Sequence, residues 1–273
     1  MKMSVKILKG MESAAYHAIQ GASASRIKAI LRSPAHLRYS MENDSPSSDA
    51  LVFGEAVHTA ILEPQKFKDG YAMAPDVDRR TKDGRAAWQM FIDANPDKKV
   101  MTEDQYLAIT GIAKSIGMHQ MAHELISTRT ETEVSLLWSQ LGIDCKARID
   151  AYSLEHRAVI DLKTTTDASP EEFARSVAKF KYHVQAAWYI DAMRAAGFDV
   201  ETMIFIAVEK TGPYGVACYE LDDAAVEEGR IQIAKALPIL SNCMLTNDWP
   251  GYDHGVQTLA LPRWAVRGEE ATL

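Results

Sequence analysis

The sequence predicts an α/β fold, a central run of β-strands flanked by helices, and three observations carry that prediction. Short β-like runs follow one another between residues 133 and 163, joined by connections short enough for hairpins. Helical spacing dominates before and after them, and two further strands return beyond residue 200. Strand–helix alternations are too few for a barrel. With 47% hydrophobic and 25% charged residues over 273 positions, the chain can bury a core without staples.

In chain order, Ser23 or Ser25 can cap a helix carrying Ile27, Ile30 and Leu31 at helical spacing. That helix should end near Ser33-Pro34, because the residue before proline avoids helical geometry. Met41–Ala50 reads as a linker, so residues 1–50 are expected to form a helical extension packed on or gating one domain spanning 1–273. Phe53–Leu62 is helical, with Val57 and Ile61 four apart, and Pro64 stops it; Pro75–Arg85 reads as a surface loop. Helices follow around Gly84–Ala94 and Thr102–Ser127, then strands at Glu133–Gln140, Ile143–Tyr152 and Arg157–Lys163. Pro170–Lys179 and Tyr182–Ala196 return to helix, Thr202–Val208 and Tyr214–Leu221 are strands, and Asp222–Cys243 closes the order as a long helix.

Bulk properties exclude several classes. No run of about 18 apolar residues exists to span a membrane, and the N-terminal stretch lacks a sustained apolar block, so a cytoplasmic protein with no membrane partner is expected. Cys145, Cys218 and Cys243 are odd in number and far apart, which suits buried free thiols and excludes a four-cysteine centre. A net charge of −7 argues against a uniformly basic nucleic-acid surface, although a cation held by carboxylates changes the local field.

The segment with chemistry is Ile149-Asp150 followed by Ile160-Asp161-Leu162-Lys163. Alternate strand side chains share a face, so Asp161 and Lys163 point together while Leu162 points into the core. A hairpin can bring Asp150 beside Asp161. Two carboxylates side by side repel unless a cation or proton intervenes, and hard oxygen donors suit Mg²⁺ or Mn²⁺. The alternative is a salt bridge among the three residues.

Ordered motifs add a family likeness. Ser33-Pro34-Ala35-His36, Gly54-Glu55-Ala56-Val57-His58, Leu62-Glu63-Pro64 and Arg79-Arg80-Thr81-Lys82 precede Glu133-Val134-Ser135 and Cys145-Lys146-Ala147-Arg148-Ile149-Asp150. Asp161-Leu162-Lys163-Thr164-Thr165, Gln185-Ala186-Ala187-Trp188-Tyr189, Val208-Glu209-Lys210 and Pro213-Tyr214 follow. In this order the chain resembles the RecE-type exonucleases (exonuclease VIII), within the PD-(D/E)XK nucleases related to lambda exonuclease and the RecB nuclease domain. The resemblance implies a restriction-endonuclease-like core with a mixed sheet. It implies a metal-dependent 5′→3′ exonuclease acting on linear double-stranded DNA and leaving 3′ single-stranded overhangs.

The same likeness assigns roles. His58, Asp150, Asp161, Glu133 and the backbone carbonyl of Leu162 would hold Mg²⁺, two ions by the family pattern, with Mn²⁺ able to substitute. Lys163 matches the catalytic lysine, and Gln185 and Tyr189 match a Q-x-x-x-Y signature near the scissile phosphate. An aspartate at 161 replaces the more frequent glutamate, which shortens its reach. A ring-like homo-oligomer (trimer or tetramer) and a RecT-type single-strand annealing protein are implied partners. An endonuclease, a flap nuclease and a catalytically silent DNA-end-binding scaffold are the rivals.

Other residues read two ways. Glu131 shares a strand face with Glu133, which the family pattern favours. Arg79, Arg80 and Lys82 read as a phosphate grip or a solvated loop, and Lys146 and Arg148 as DNA contacts or ion pairs. Glu55 and Glu63 are solvated charges or supports for His58. His119 and His123 lack a third zinc ligand and read as surface histidines; Trp138 and Trp188 read as core.

Overall fold

The computed structural model describes residues 4–43, 48–252 and 255–261. The N-terminal part contains β1 (Val5–Leu8), α1 (Ser13–Ala18), α2 (Ala24–Ile30), α3 (Pro34–Glu42), α4 (Asp49–Leu62), α5 (Pro64–Gly70) and β2 (Tyr71–Met73). Next come α6 (Lys82–Ala94), β3 (Lys99–Met101), α7 (Glu103–Met118), α8 (Gln120–Ser127), β4 (Glu131–Gln140), β5 (Ile143–Ser153) and β6 (Ala158–Thr165). The chain continues through α9 (Pro170–Phe180), α10 (Tyr182–Ala195), β7 (Thr202–Glu209), β8 (Val216–Glu220) and α11 (Asp223–Thr246).

Helix starts follow the capping chemistry. The side chains of Ser23, Ser33, Ser48, Thr81 and Asp222 each accept a backbone N–H from the first turn of the helix they precede. Thr102 and Gln105 form a reciprocal capping box.

Six strands form one mixed sheet in the order β1-β4-β5-β6-β7-β8, antiparallel except for the parallel β6–β7 pair. The α9–α10 pair supplies the crossover that a parallel pair requires. Period-two alternation splits the apolar residues between two layers. Val159, Met203 and Phe205 face α2, α10 and α11, whereas Ile160, Leu162 and Ile206 face α4, α7 and α8. Each such fully buried side chain stabilises the fold by about 1.5–3 kcal/mol.

The α/β class with a mixed sheet flanked by helices matches the sequence expectation. The helices before Pro34 and Pro64 end as expected, at Ile30 and Leu62. Several elements differ. Each of these prolines also opens a further helix, α3 and α5, at its first turn, where proline's missing N–H costs nothing. Helix α4 begins at Asp49, inside the stretch read as a linker, whose residues 44–47 lie outside the described residues. Helix α6 begins at Lys82, within the expected loop. The single helix expected over Thr102–Ser127 is broken at His119, which caps α8 by accepting the Ala122 N–H at 3.2 Å. Residues 4–43 are more than an extension: β1 completes the sheet edge against β4, and α2 and α3 contribute Ile27, Ile30 and Leu37 to the core. Among the described residues no helix is long and apolar enough to cross a membrane.

Candidate active site

The site forms where the sheet comes apart. Strands β5 and β6 pair only through Ser153↔Ala158, Tyr152↔Val159 and Ala151↔Ile160. One further step would set Asp150 opposite Asp161, and there the ladder ends. On the other side of β5, Glu133 has a left-handed φ of 55° and interrupts its pairing with Asp150. Burial alternation slips at the same level, since Ile149 packs in one layer and Ala151 in the other. Backbone irregularity of this kind concentrates at functional sites.

Asp161 is completely buried. Its Oδ1 accepts the Gln185 amide at 2.6 Å, and its Oδ2 forms an ion pair with Lys163. Strand alternation explains that pair: residues 161 and 163 share a face, and α10 lays Gln185 across it. His58 on α4 brings Nδ1 to 3.3 Å from Asp150 Oδ2. Asp150 Oδ2 has no hydrogen-bond partner among the described residues, whereas Asp161 Oδ2 is held by Lys163. An unpartnered buried carboxylate oxygen is costly and calls for an explanation.

Electrostatics follows from the crowding. Burial, then the Asp161 charge, pushes the Asp150 carboxyl well above the usual carboxylate range. Burial pulls the Lys163 ammonium down, but Asp161 and Asp150 outweigh it and hold the amine above its ordinary value. Burial and the Lys163 charge keep His58 below the normal imidazole value, so it presents a neutral ring, the form that binds metals. The Leu162 backbone bears on both sides, favouring protonated His58 and ionised Asp150. Burial above all raises the Tyr189 phenol far beyond its ordinary value, and it sits one turn from Gln185 on α10.

His58, Leu162, Lys163 and Glu133 line an open cleft of about 1520 Å³, and Asp150 and Asp161 lie one contact behind it, through His58 and Lys163. The donor set fits a hard divalent ion in kind: two crowded carboxylates, a neutral imidazole and the Leu162 backbone. Lys163 and Gln185 engage Asp161, and Arg148 engages Glu133. Among the described residues no three His, Cys, Asp or Glu side chains are gathered closely enough to ligate one ion. Glu133 nonetheless faces the cleft, whereas Glu131 does not line it and pairs with Lys9. Glu55 and Glu63, also on the cleft wall, pair with Lys99 at 2.7 Å and Lys66 at 2.6 Å.

Lys146 requires a correction. It is buried, and its ammonium donates to the carbonyls of Tyr16 at 2.8 Å, Ile19 at 2.7 Å and His17 at 3.4 Å. It ties down the end of α1 and has no donor left for a phosphate. Arg148 binds Glu133, the Met11 carbonyl at 2.9 Å and Ser135, so it braces the cleft wall. Arg79 lies over Trp88 at 4.3 Å and Arg80 pairs with Asp78; neither these two nor Lys82 lines the cleft. The His123 ring meets Ser127 at 3.4 Å. Trp138 and Trp188 pack together in the core, 5.0 Å apart.

Sequence reasoning missed Lys28, which donates to the Gln185 carbonyl oxygen at 3.3 Å. Burial, then the Lys163 charge, lowers its ammonium to about 8. No local pattern marks it, because the contact spans 157 positions. The cleft wall from α9, with Arg175, Lys179 and Phe180, was also unassigned.

A family model described as a PDDEXK-like domain of unknown function (DUF3799) matches residues 23–260. No curated protein sequence matches the chain. Among solved structures, a presumed exonuclease from Eubacterium rectale aligns with a TM-score of 0.63 at 14% identity, covering 92% of this chain and 95% of that one, a likeness of fold. A phage-related exonuclease from Haemophilus somnus 129PT aligns at a TM-score of 0.38 and 11% identity, over 84% of this chain and 97% of that one.

Proposed function

The chain belongs to the PDDEXK-like domain family DUF3799, and from that premise we propose that it is a Mg²⁺-dependent exodeoxyribonuclease. It degrades one strand of linear duplex DNA in the 5′→3′ direction and leaves a 3′-ended single strand. The observation that carries the reading is the pair of crowded buried aspartates at the split in the sheet, Asp150 with an unpartnered oxygen and Asp161 held by Lys163. A fold gains nothing from holding like charges together unless a cation or a reaction uses them.

When bound, a divalent ion supplies a Lewis acid and lowers the pKa of its water. Asp150, Asp161, neutral His58 and the Leu162 carbonyl are the residues that would hold it. Lys163 points its ammonium at the same place, where it orients the attacking water and stabilises charge developing on the phosphate. Gln185 keeps Asp161 aimed by donating to Oδ1. Glu133, braced by Arg148, adds negative charge at the cleft wall that helps recruit the ion. A ring-like homo-oligomer and hand-over of the 3′ strand to a RecT-type annealing protein accompany this reading.

The test is digestion of linear duplexes labelled at the 5′ or the 3′ end, with closed circles alongside, in Mg²⁺ and in EDTA. Early release of the 5′ label in Mg²⁺ alone, with circles intact, is the expected result. Cleaved circles would make the enzyme an endonuclease, and undiminished activity of Asp161→Ala would remove the site assignment.

A further inference from the structure

The cleft also carries an aromatic column that hydrolysis alone does not use. Helix α9 ends at Phe180 and α10 begins at Tyr182, with Lys181 between them at a φ of 52°. A left-handed lysine is uncommon, and here it turns the chain so that two rings separated by one residue stack. Phe180 and Tyr182 have centroids 5.7 Å apart and planes within 28°; Tyr182 then stacks on Phe205 at 5.7 Å and 26°. Phe205 is fully buried, Tyr182 half-buried, and Phe180 is 48% exposed. The column therefore runs from the core to the cleft and ends on Phe180, whose ring is covered, beyond Tyr182, by no side chain more rigid than the Lys179 ammonium among the described residues.

A single exposed phenylalanine needs no explanation by itself. This one lines the same cleft as Lys163, whose ammonium stands 5.0 Å from the Tyr182 ring. Lys179 lies 5.3 Å from the Phe180 ring, and Arg175, paired with Glu172, is one turn back on the same wall. Ring faces interleaved with cations are the combination that holds single-stranded nucleic acid, because every base has a flat π face and every linkage a negative charge. Paired, stacked bases inside a duplex cannot offer that face; an unpaired terminal base can.

We propose that Phe180 is a stacking platform for an unpaired nucleobase at a frayed DNA end, with Lys179 and Arg175 flanking its phosphates. The strand to be cut then reaches Lys163 already separated from its complement. This inference rests on the nuclease reading and adds to it a preference for locally melted ends.

The test uses duplexes with a frayed end carrying 5-iododeoxyuridine at the unpaired terminal nucleotide, bound in Ca²⁺ and irradiated. The crosslinked peptide is then identified by mass spectrometry. A crosslink at Phe180 is expected, lost in Phe180→Leu and kept in Phe180→Tyr. In Mg²⁺, Phe180→Leu should raise KM for duplex ends about tenfold with little change in kcat. That is about 1.4 kcal/mol, within the ~1–3 kcal/mol typical of base–aromatic stacking. Bound and hydrolysed DNA whose crosslink falls elsewhere, or survives in Phe180→Leu, overturns the platform and leaves the nuclease standing. If the wild-type protein neither binds nor hydrolyses DNA, the nuclease reading falls and the platform with it.

Discussion

Two charged clusters meet on β5, Lys146 with Arg148 and Asp150 with Asp161 of β6, and are resolved in opposite ways. At Lys146 and Arg148 every charge has partners: three backbone carbonyls for the lysine, and Glu133, Ser135 and the Met11 carbonyl for the arginine. At Asp150 and Asp161 two carboxylates crowd each other: Asp161 is held by Lys163 and Gln185, whereas Asp150 Oδ2 has no hydrogen-bond partner among the described residues. Satisfied buried charge builds structure; unsatisfied buried charge marks a place where something else must bind or react. Residue type and burial alone would not have separated the two.

The largest effect that could break this contrast lies in the carboxylate cluster. Lys163→Met should lower hydrolysis of linear DNA by about 10²–10³-fold per folded molecule, the usual cost of removing a group that stabilises transition-state charge. It also leaves buried Asp161 without its ion-pair partner, so the melting temperature should fall as well, and activity and calorimetry on one preparation separate the two effects. Lys146→Met should lower stability alone. Leaving the α1 carbonyls without their donor costs about 1–3 kcal/mol, which lowers the melting temperature by roughly 2–4 °C per kcal/mol for a chain of this size. Activity per folded molecule, and its dependence on salt, should not change. A flattened salt dependence in Lys146→Met would restore that residue as a phosphate contact.

Asp150 supplies the pH arm of the comparison. Its folded carboxyl titrates above the ordinary range, so the folded state binds the extra proton and loses stability as pH rises through that raised value. In EDTA, Asp150→Asn should therefore be more stable than the wild type near neutral pH. The gap should close as pH falls toward the ordinary carboxylate range. Adding Mg²⁺ should reverse the order, stabilising the wild type by about 2.7 kcal/mol at a hundred times the dissociation constant. Thermal melts across pH, with and without Mg²⁺, measure both. Smaller again is Lys28→Met, which frees the Gln185 amide to rotate away from Asp161. A fall in kcat of about tenfold, the worth of one charge-assisted hydrogen bond, is expected, with Lys28→Arg keeping most of the activity. Arg80→Ala should change neither melting nor DNA affinity, since its partner Asp78 shares the same exposed turn.

Much of the site could be read before the fold was known. The Asp161-Leu162-Lys163 alternation dictated a shared face, and the connection between Tyr152 and Arg157 was short enough for a hairpin to return Asp161 to Asp150. The Gln185–Tyr189 spacing placed both on one side of α10. The direction of Lys146 was not legible, because alternation says which face a side chain takes but not what covers that face. Strand β1 escaped notice since it is an edge strand of four residues, too short for its Val5-Lys6-Ile7 alternation to stand out. Strands β2 and β3 are three residues each and pair across about 28 positions, too short for any periodicity.

Composition and spacing determined the α/β layering and the conjunction of Asp150, Asp161 and Lys163, because backbone period and hairpin return are local properties of the chain. Tertiary structure alone decided that Lys146 anchors a helix, that Lys28 steadies Gln185, and that Phe180 faces the cleft. Those outcomes depend on which helices pack over which face of the sheet, and that is settled by the burial of the whole apolar surface, not by any one segment.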